Sequence, residues 1–301
     1  MNISIQNEQK AENFTLLFQH IRSFTEHVNI IFEKERMYIQ SMDSSRVSIF
    51  EICLPSEWFD KYDFSKLDQQ NTETVLIGIH STNLFKVLSS RDKTQYIFMD
   101  YDPNEDSDKL NVHFLSKTRF ASSFRSPATT ATTGEEEPGA KVEQEPTKNI
   151  TKTEFDKHFE LPLMDIDNEI MTIPNEEYQA EFSISSFNFA TIINQLKMFG
   201  DNLDVSCTEE RIILCSSNLE NGKMYVDIGI DDLSSFMIDE GKKIHLGFSL
   251  NSLHNICLYN KLSREIVIHF KENFPMKVVY SIYGHENAKM TFFLAPKIMD
   301  D

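Results

Sequence analysis

The chain of 301 residues is 40% hydrophobic and holds 24 Phe, enough for a sizeable core in one large domain or two ordinary ones. Its net charge of −18 excludes a generally basic nucleic-acid binder and disfavours attraction to acidic membranes. Contact with DNA would require some of the 29 Lys and Arg to gather on one surface.

Phe14, Leu17, Phe18, Ile21 and Phe24 recur at helical spacing, with Thr15, Gln19 and Arg22 opposite. Alternating segments from Met37 and from Val47 then read as two strands joined by Asp43-Ser44-Ser45-Arg46. Such a cluster is either a reactive site or a turn whose side chains bond the local backbone. A short helix from about Thr82 to Leu88 follows, with Lys86 on its polar side.

From Ser126 to Thr153 there is no aromatic residue and much Thr, Glu, Pro and Lys. That composition buries too little apolar surface to offset ordering entropy, so a mobile loop over about 116–153 is expected. Its front end, with Lys117, Arg119, Phe120, Phe124 and Arg125, suits either a nucleic-acid contact or anchoring of a strand end.

The chain contains a repeat. Ser23–Met42 lies over Met198–Ser217 at a constant offset, with Glu35-Arg36 on Glu210-Arg211. The helical stripe recurs as Phe189, Ile192, Ile193, Leu196 and Phe199, with Asn194 and Lys197 on the polar side. Val75–Leu88 lies over Ile244–Cys257, Gly78 falling on Gly247, and Asp108–Leu115 resembles Ala288–Ala295. Two copies of one helix-and-strand module are thus expected, with helices covering one face of the sheets and polar helix faces poor in acids.

Chemistry is scarce. There is no Gly-rich phosphate loop, no G-x-S-x-G elbow, and no His at metal-ligand sequence spacing from another His or Cys. Cys53, Cys207, Cys215 and Cys257 lie in apolar runs and read as reduced core thiols. Asp165 and Asp167 have no candidate partner, and Asp43 with Ser45 lacks a base. A hydrolase is therefore disfavoured, and no cofactor or metal is expected. The polar N-terminal stretch is no signal peptide, and no apolar run approaches the ~20 residues of a membrane span. The expectation is an intracellular protein with no membrane partner, in the nucleus or the cytoplasm, without a clear nuclear import signal.

Four segments resemble one family. QSMDSSRVSI (Gln40–Ile49) with SEWFDKY (Ser56–Tyr62), LMDIDNEIMTIPNEEY (Leu163–Tyr178), NGKMYVDI (Asn221–Ile228) and LAPKI (Leu294–Ile298) are similar to stretches of the DNA sliding clamp called proliferating cell nuclear antigen. The resemblance implies an α+β DNA-clamp fold: an N-terminal domain over 1–162, a connector over 163–177 and a C-terminal domain over 178–301. It implies a head-to-tail homotrimeric ring around duplex DNA that tethers polymerases and other replication or repair enzymes and has no catalysis of its own. A clamp loader is a further implied partner. A ring holds DNA topologically while each phosphate contact stays weak.

By position in that family, the docking pocket comprises Met42, Arg46, Val47, Ile49, Met171, Ile173, Pro174, Pro275, Phe293, Ala295, Pro296 and Ile298. DNA contact falls to Arg22, Lys86 and Lys197, assisted by Arg91, Lys93, Lys261 and Arg264. The subunit interface falls to His158 and Phe159 against Gly222, Lys223 and Tyr225. Arg46, Phe293, Thr15 and Leu16 depart from the residues common at these places in the family. The departures and the long insertion resemble those of a clamp from a large DNA virus. The competing reading is a clamp-like scaffold that acts as a monomer or a hetero-ring subunit in damage signalling or repair.

Overall fold

The computed structural model describes residues 1–64, 74–104, 107–116, 155–167, 170–174 and 176–298. The loop expected from Ser116 lies, beyond its first residue, outside these, as do Lys117, Arg119, Phe120, Phe124 and Arg125. Among the described residues the first half runs β1 (Asn2–Ile5), α1 (Glu8–Ile21), β2 (His27–Glu33), β3 (Arg36–Met42), β4 (Ser48–Pro55) and β5 (Lys61–Asp63). It continues with β6 (Thr74–His80), α2 (Ser81–Ser89), β7 (Tyr96–Asp100), β8 (Lys109–Leu115) and β9 (Lys157–Pro162). The second half repeats this order: β10 (Ala180–Ser185), α3 (Ser186–Leu196), β11 (Asn202–Cys207), β12 (Arg211–Asn218), β13 (Gly222–Gly229) and β14 (Ser235–Ile238). β15 (Ile244–Ser249), α4 (Leu250–Cys257), β16 (Glu265–Phe270), β17 (Met276–Ser281) and β18 (Lys289–Leu294) complete it.

The first helix begins earlier than its apolar stripe. The Asn7 side chain accepts from the N–H groups of Gln9 (2.9 Å) and Lys10 (3.1 Å), capping orphan donors of the first turn. Glu8 and Glu12 therefore belong to α1, and both are exposed. The expectation that the polar helix faces are poor in acids is corrected here. On the inner face Ala11, Phe14, Leu17, Phe18 and Ile21 are buried, and Phe14 meets Phe18 edge to face at 5.0 Å.

The strands form three antiparallel sheets, ordered β5-β1-β7-β8-β9, β14-β10-β16-β17-β18-β4-β3-β2-β6 and β13-β12-β11-β15. Strand by strand, β18 is the repeat of β9, and β17 the repeat of β8. The match of Asp108–Leu115 with Ala288–Ala295 was therefore displaced by one strand. Both candidates alternate with period two, so pattern alone does not separate a strand from its neighbour; hydrogen-bonded order does.

The nine-stranded sheet crosses from one module into the other. β18 pairs with β4 from Lys289↔Cys53 to Leu294↔Ser48, with Phe292 opposite Phe50. Beneath this seam Tyr259 is fully buried, 5.4 Å from the Phe292 ring and 6.2 Å from Phe24, and its hydroxyl donates to the Leu17 carbonyl (3.3 Å). Phe24 also meets Phe50 edge to face at 5.6 Å and lies tilted against Phe292 at 5.4 Å. Trp58 Nε1 donates to the Tyr283 carbonyl (2.8 Å), a further bond between the halves.

The helices form one layer in the order α2, α1, α4, α3. α1 packs on α2 and α3 on α4. His20 lies 5.3 Å from Tyr259 just after α4, and His254 Nδ1 bonds Asn194 Oδ1 at 2.7 Å. Truncating Phe292→Ala removes the ring shared by Phe24, Phe50 and Tyr259. The expected loss is about 3–5 kcal/mol of stability, measured by urea unfolding.

Candidate functional site

Successive strand residues face opposite sides of a sheet. In β3, Ile39 joins the core beneath the helices, so Gln40 and Met42 face the outer side. Across that side Met42 stands opposite Ile49, and Ile49 opposite Phe293, giving an apolar row over three strands. All three are half-buried. Val47 is 37% exposed, and its carbonyl accepts from Ala295 N–H (2.9 Å), bringing the C-terminal segment to the row. Pro275, next to β17, and Pro296 are half-buried, whereas Ile298 is exposed.

The Asp43–Arg46 cluster is a turn. Asp43 Oδ1 accepts from the N–H groups of Val47 and Ser48 (both 2.9 Å), and Ser45 Oγ donates to Asp43 Oδ2. Arg46 sits in the left-handed region at φ 57°. The carboxylate is occupied in holding the turn, and Arg46 is exposed within it.

The connector crosses this outer face on hydrogen bonds that sequence reasoning missed. Met164 N–H donates to the Gly78 carbonyl (2.8 Å). A Cβ at Gly78 would stand 2.2 Å from the Met164 oxygen, so only glycine admits this approach. Asn29 Nδ2 donates to the Ile166 carbonyl (3.2 Å). Gln40 then clamps Met171 on both sides: its Oε1 accepts from Met171 N–H (2.7 Å) and its Nε2 donates to the Met171 carbonyl (2.9 Å). Met171 is thus held at Gln40, two residues along β3 from Met42 of the row. Ile173 is half-buried and Pro174 exposed farther along the connector. Gly78 was legible as a glycine inside a strand; Asn29 and Gln40 carried no comparable signal.

The same device recurs in the second module. Lys297 N–H donates to the carbonyl of Gly247, the repeat partner of Gly78, at 2.8 Å. The C-terminal segment after β18 therefore follows over its own module the path that the connector follows after β9.

On the helix side, Arg22, Lys86, Lys93, Lys261 and Arg264 are exposed and Lys197 is half-buried as the C-cap of α3. The Arg22 guanidinium lies over the Phe85 ring at 4.9 Å, which fixes it at the α1–α2 contact. Arg91 differs from the others. Its Nη1 donates to the carbonyls of Asp92 (3.2 Å), Lys93 (2.9 Å) and Gln95 (2.9 Å), so it ties its own turn. It shares a depression with Glu8, Glu12 and Lys93, where the acids offset local positive charge.

Burial, then the nearby Arg22 and Lys261 charges, push the His20 imidazole below its ordinary range. Burial also lowers His269, with Glu181 opposing and Lys277 assisting. Burial lowers His254, assisted by Lys197.

Of the sheet edges, β9 and β13 are the two whose repeat partners, β18 and β4, form the internal seam. On β9 His158 and Glu160 are exposed and Phe159 half-buried; on β13 Gly222, Lys223 and Tyr225 are exposed, Tyr225 by 67%.

Family models of the proliferating cell nuclear antigen match both halves. The N-terminal domain model matches residues 6–125 and the C-terminal domain model residues 172–297. The chain is 23% identical over 286 residues to the proliferating cell nuclear antigen of Chaetomium thermophilum, covering 93% of each chain. It is 22% identical over 294 residues to proliferating cell nuclear antigen 2 of Plasmodium falciparum, covering 95% of this chain and 96% of that one.

Histidines held neutral in the fold destabilise it once the unfolded chain takes up protons. Stability should therefore fall as pH drops through about 6.5, because the unfolded state then binds more protons than the native one. Urea unfolding at neutral and mildly acidic pH should show this loss, and a His20→Gln/His269→Gln variant should show less of it.

Proposed function

The chain belongs to the proliferating cell nuclear antigen family, and on that footing we propose a DNA sliding clamp closed as a ring of three chains around duplex DNA. It would hold a polymerase and other replication or repair enzymes through the outer groove beside the connector, without catalysis of its own. The observation that carries this reading is the seam. The chain already joins its two modules by β18 against β4, and it leaves the repeat partners of those strands, β9 and β13, as edges. A second copy docked by the same operation pairs β9 with β13, and a head-to-tail contact of this kind closes into a ring when the rotation permits.

Register transfers residue by residue. Lys297 and Met164 are equivalent through their bonds to Gly247 and Gly78, which sets Phe292 on Phe159 and Thr291 on His158. The pairings Ile39↔Ile52 and Leu214↔Val226, with Ile39 on Leu214 in the repeat, set Phe50 on Met224 and Glu51 on Tyr225. The seam pairs Phe292↔Phe50, Thr291↔Glu51 and Phe293↔Ile49 then become Phe159↔Met224, His158↔Tyr225 and Glu160↔Lys223 between subunits. An apolar pair falls on the core side and an opposite-charge pair on the outer side, which is the chemistry a cross-strand contact needs.

Arg22, Lys86, Lys197, Lys261 and Arg264, with Lys93, would face DNA from the helix layer. Most of the acid in the chain lies elsewhere, and loose cationic contacts suit a ring that slides. On the outer side, the apolar row beside the Gln40-clamped connector fits a short apolar plug from a partner.

Retention on DNA tests the encircling role. Complexes assembled on nicked circular duplex, with a loader if one is required, should survive moderate salt and dissolve once the circle is cut. Equal retention before and after cutting would contradict encirclement.

A further inference from the structure

The fold assembles a cluster that sequence spacing hid. His27 opens β2 and His80 closes β6, and the two are direct partners across the antiparallel ladder. Their rings meet edge to face at 5.1 Å. Glu26 precedes His27 in the turn after α1, and its Oε1 lies 3.3 Å from His80 Nε2. One donor atom from each of Glu26, His27 and His80 lies within 4.8 Å of the others. We propose that Glu26, His27 and His80 form a binding site for a divalent transition-metal ion, Zn²⁺ in the first instance, with the remaining coordination positions open to water.

Donor chemistry and backbone support agree. Two imidazoles and a carboxylate are the ligand types that zinc takes, and Mg²⁺ or Ca²⁺ would call for oxygen donors instead. The three backbones are pinned before any ion arrives. The Glu26 carbonyl accepts from Ser81 N–H and Ser81 Oγ (both 2.9 Å), and Thr25 Oγ1 donates to the His27 carbonyl (2.7 Å). Side-chain rotation alone then draws the donors to about 2.0–2.2 Å from a common centre. One local bond is given up. His80 Nδ1 accepts from Thr82 N–H at a long 3.3 Å. Ligation through Nε2 displaces its proton and places the imidazole proton on Nδ1, so affinity should be moderate.

Two comparisons within the chain sharpen the assignment. In the second module the equivalent positions hold Asp201, Asn202 and Ser249, with Asn202 opposite Ser249 in the same register, so both imidazoles are absent there. The other histidine pair, His113 and His158, does not converge. His113 turns Nδ1 to His158 (2.7 Å) and Nε2 to Asp100 (2.8 Å), and these nitrogens face opposite sides of one ring.

The test is equilibrium dialysis of the full chain against ZnCl₂ after chelator treatment, with metal analysis and thermal melts in parallel. Wild type should bind one Zn²⁺ per chain saturably and melt higher with zinc. The second module supplies conservative replacements, because Ser249 caps α4 through its hydroxyl as His80 caps α2. His27→Asn and His80→Ser should each abolish saturable binding and the zinc-dependent shift while melting normally without zinc. His113→Ala should bind as wild type does. Absence of saturable binding in wild type would overturn the proposal. So would unchanged binding in the His27 and His80 variants, or its loss in His113→Ala.

Discussion

The antiparallel pairing of β18 with β4 is the constraint on which the rest of the architecture depends. It converts two modules into one nine-stranded sheet, and the rings of Phe24, Phe50, Phe292 and Tyr259 fill the space beneath it. Satisfying one module–module joint within the chain leaves the equivalent strands β9 and β13 as edges. Among the described residues these edges have no strand on their outer side, and an unpaired edge invites pairing with another chain. The proposed ring uses one joint twice, once within a chain and once between chains.

The same sheet separates two kinds of surface. Inward residues of each strand meet the helix layer, whose far side carries Arg22, Lys86, Lys261 and Arg264. Outward residues meet the connector, laid down by Gly78, Asn29 and Gln40. In a chain of net charge −18, exposed cations thus stand on the helix side and an apolar row on the opposite face. The connector is held there through its backbone groups at Met164, Ile166 and Met171.

Much of this was legible in the sequence because it rests on periodicity and on local chemistry. The helical stripe through Phe14 and Phe18, the two-module repeat and the Asp43 turn all have causes within a few residues of themselves. What escaped depends on long-range register. Ala288–Ala295 looked like β8 as much as β9 because strands share one period. Glu8 and Glu12 were missed because the cap at Asn7 extends α1 beyond its apolar stripe. The Gln40 clamp and the meeting of His27 with His80 join residues far apart in the chain, and only the ladder places them together.

The most direct measurement is a disulfide cross-link at the inferred joint, using a chain that carries His158→Cys and Tyr225→Cys. Directly opposed strand residues have the Cα separation a disulfide needs. Under mild oxidation the account predicts covalent species ending at three chains of 35.0 kDa, about 105 kDa, each chain linked to both neighbours. Ladders growing past three chains, or no cross-link at concentrations where the chains associate, would contradict a closed ring built on this register.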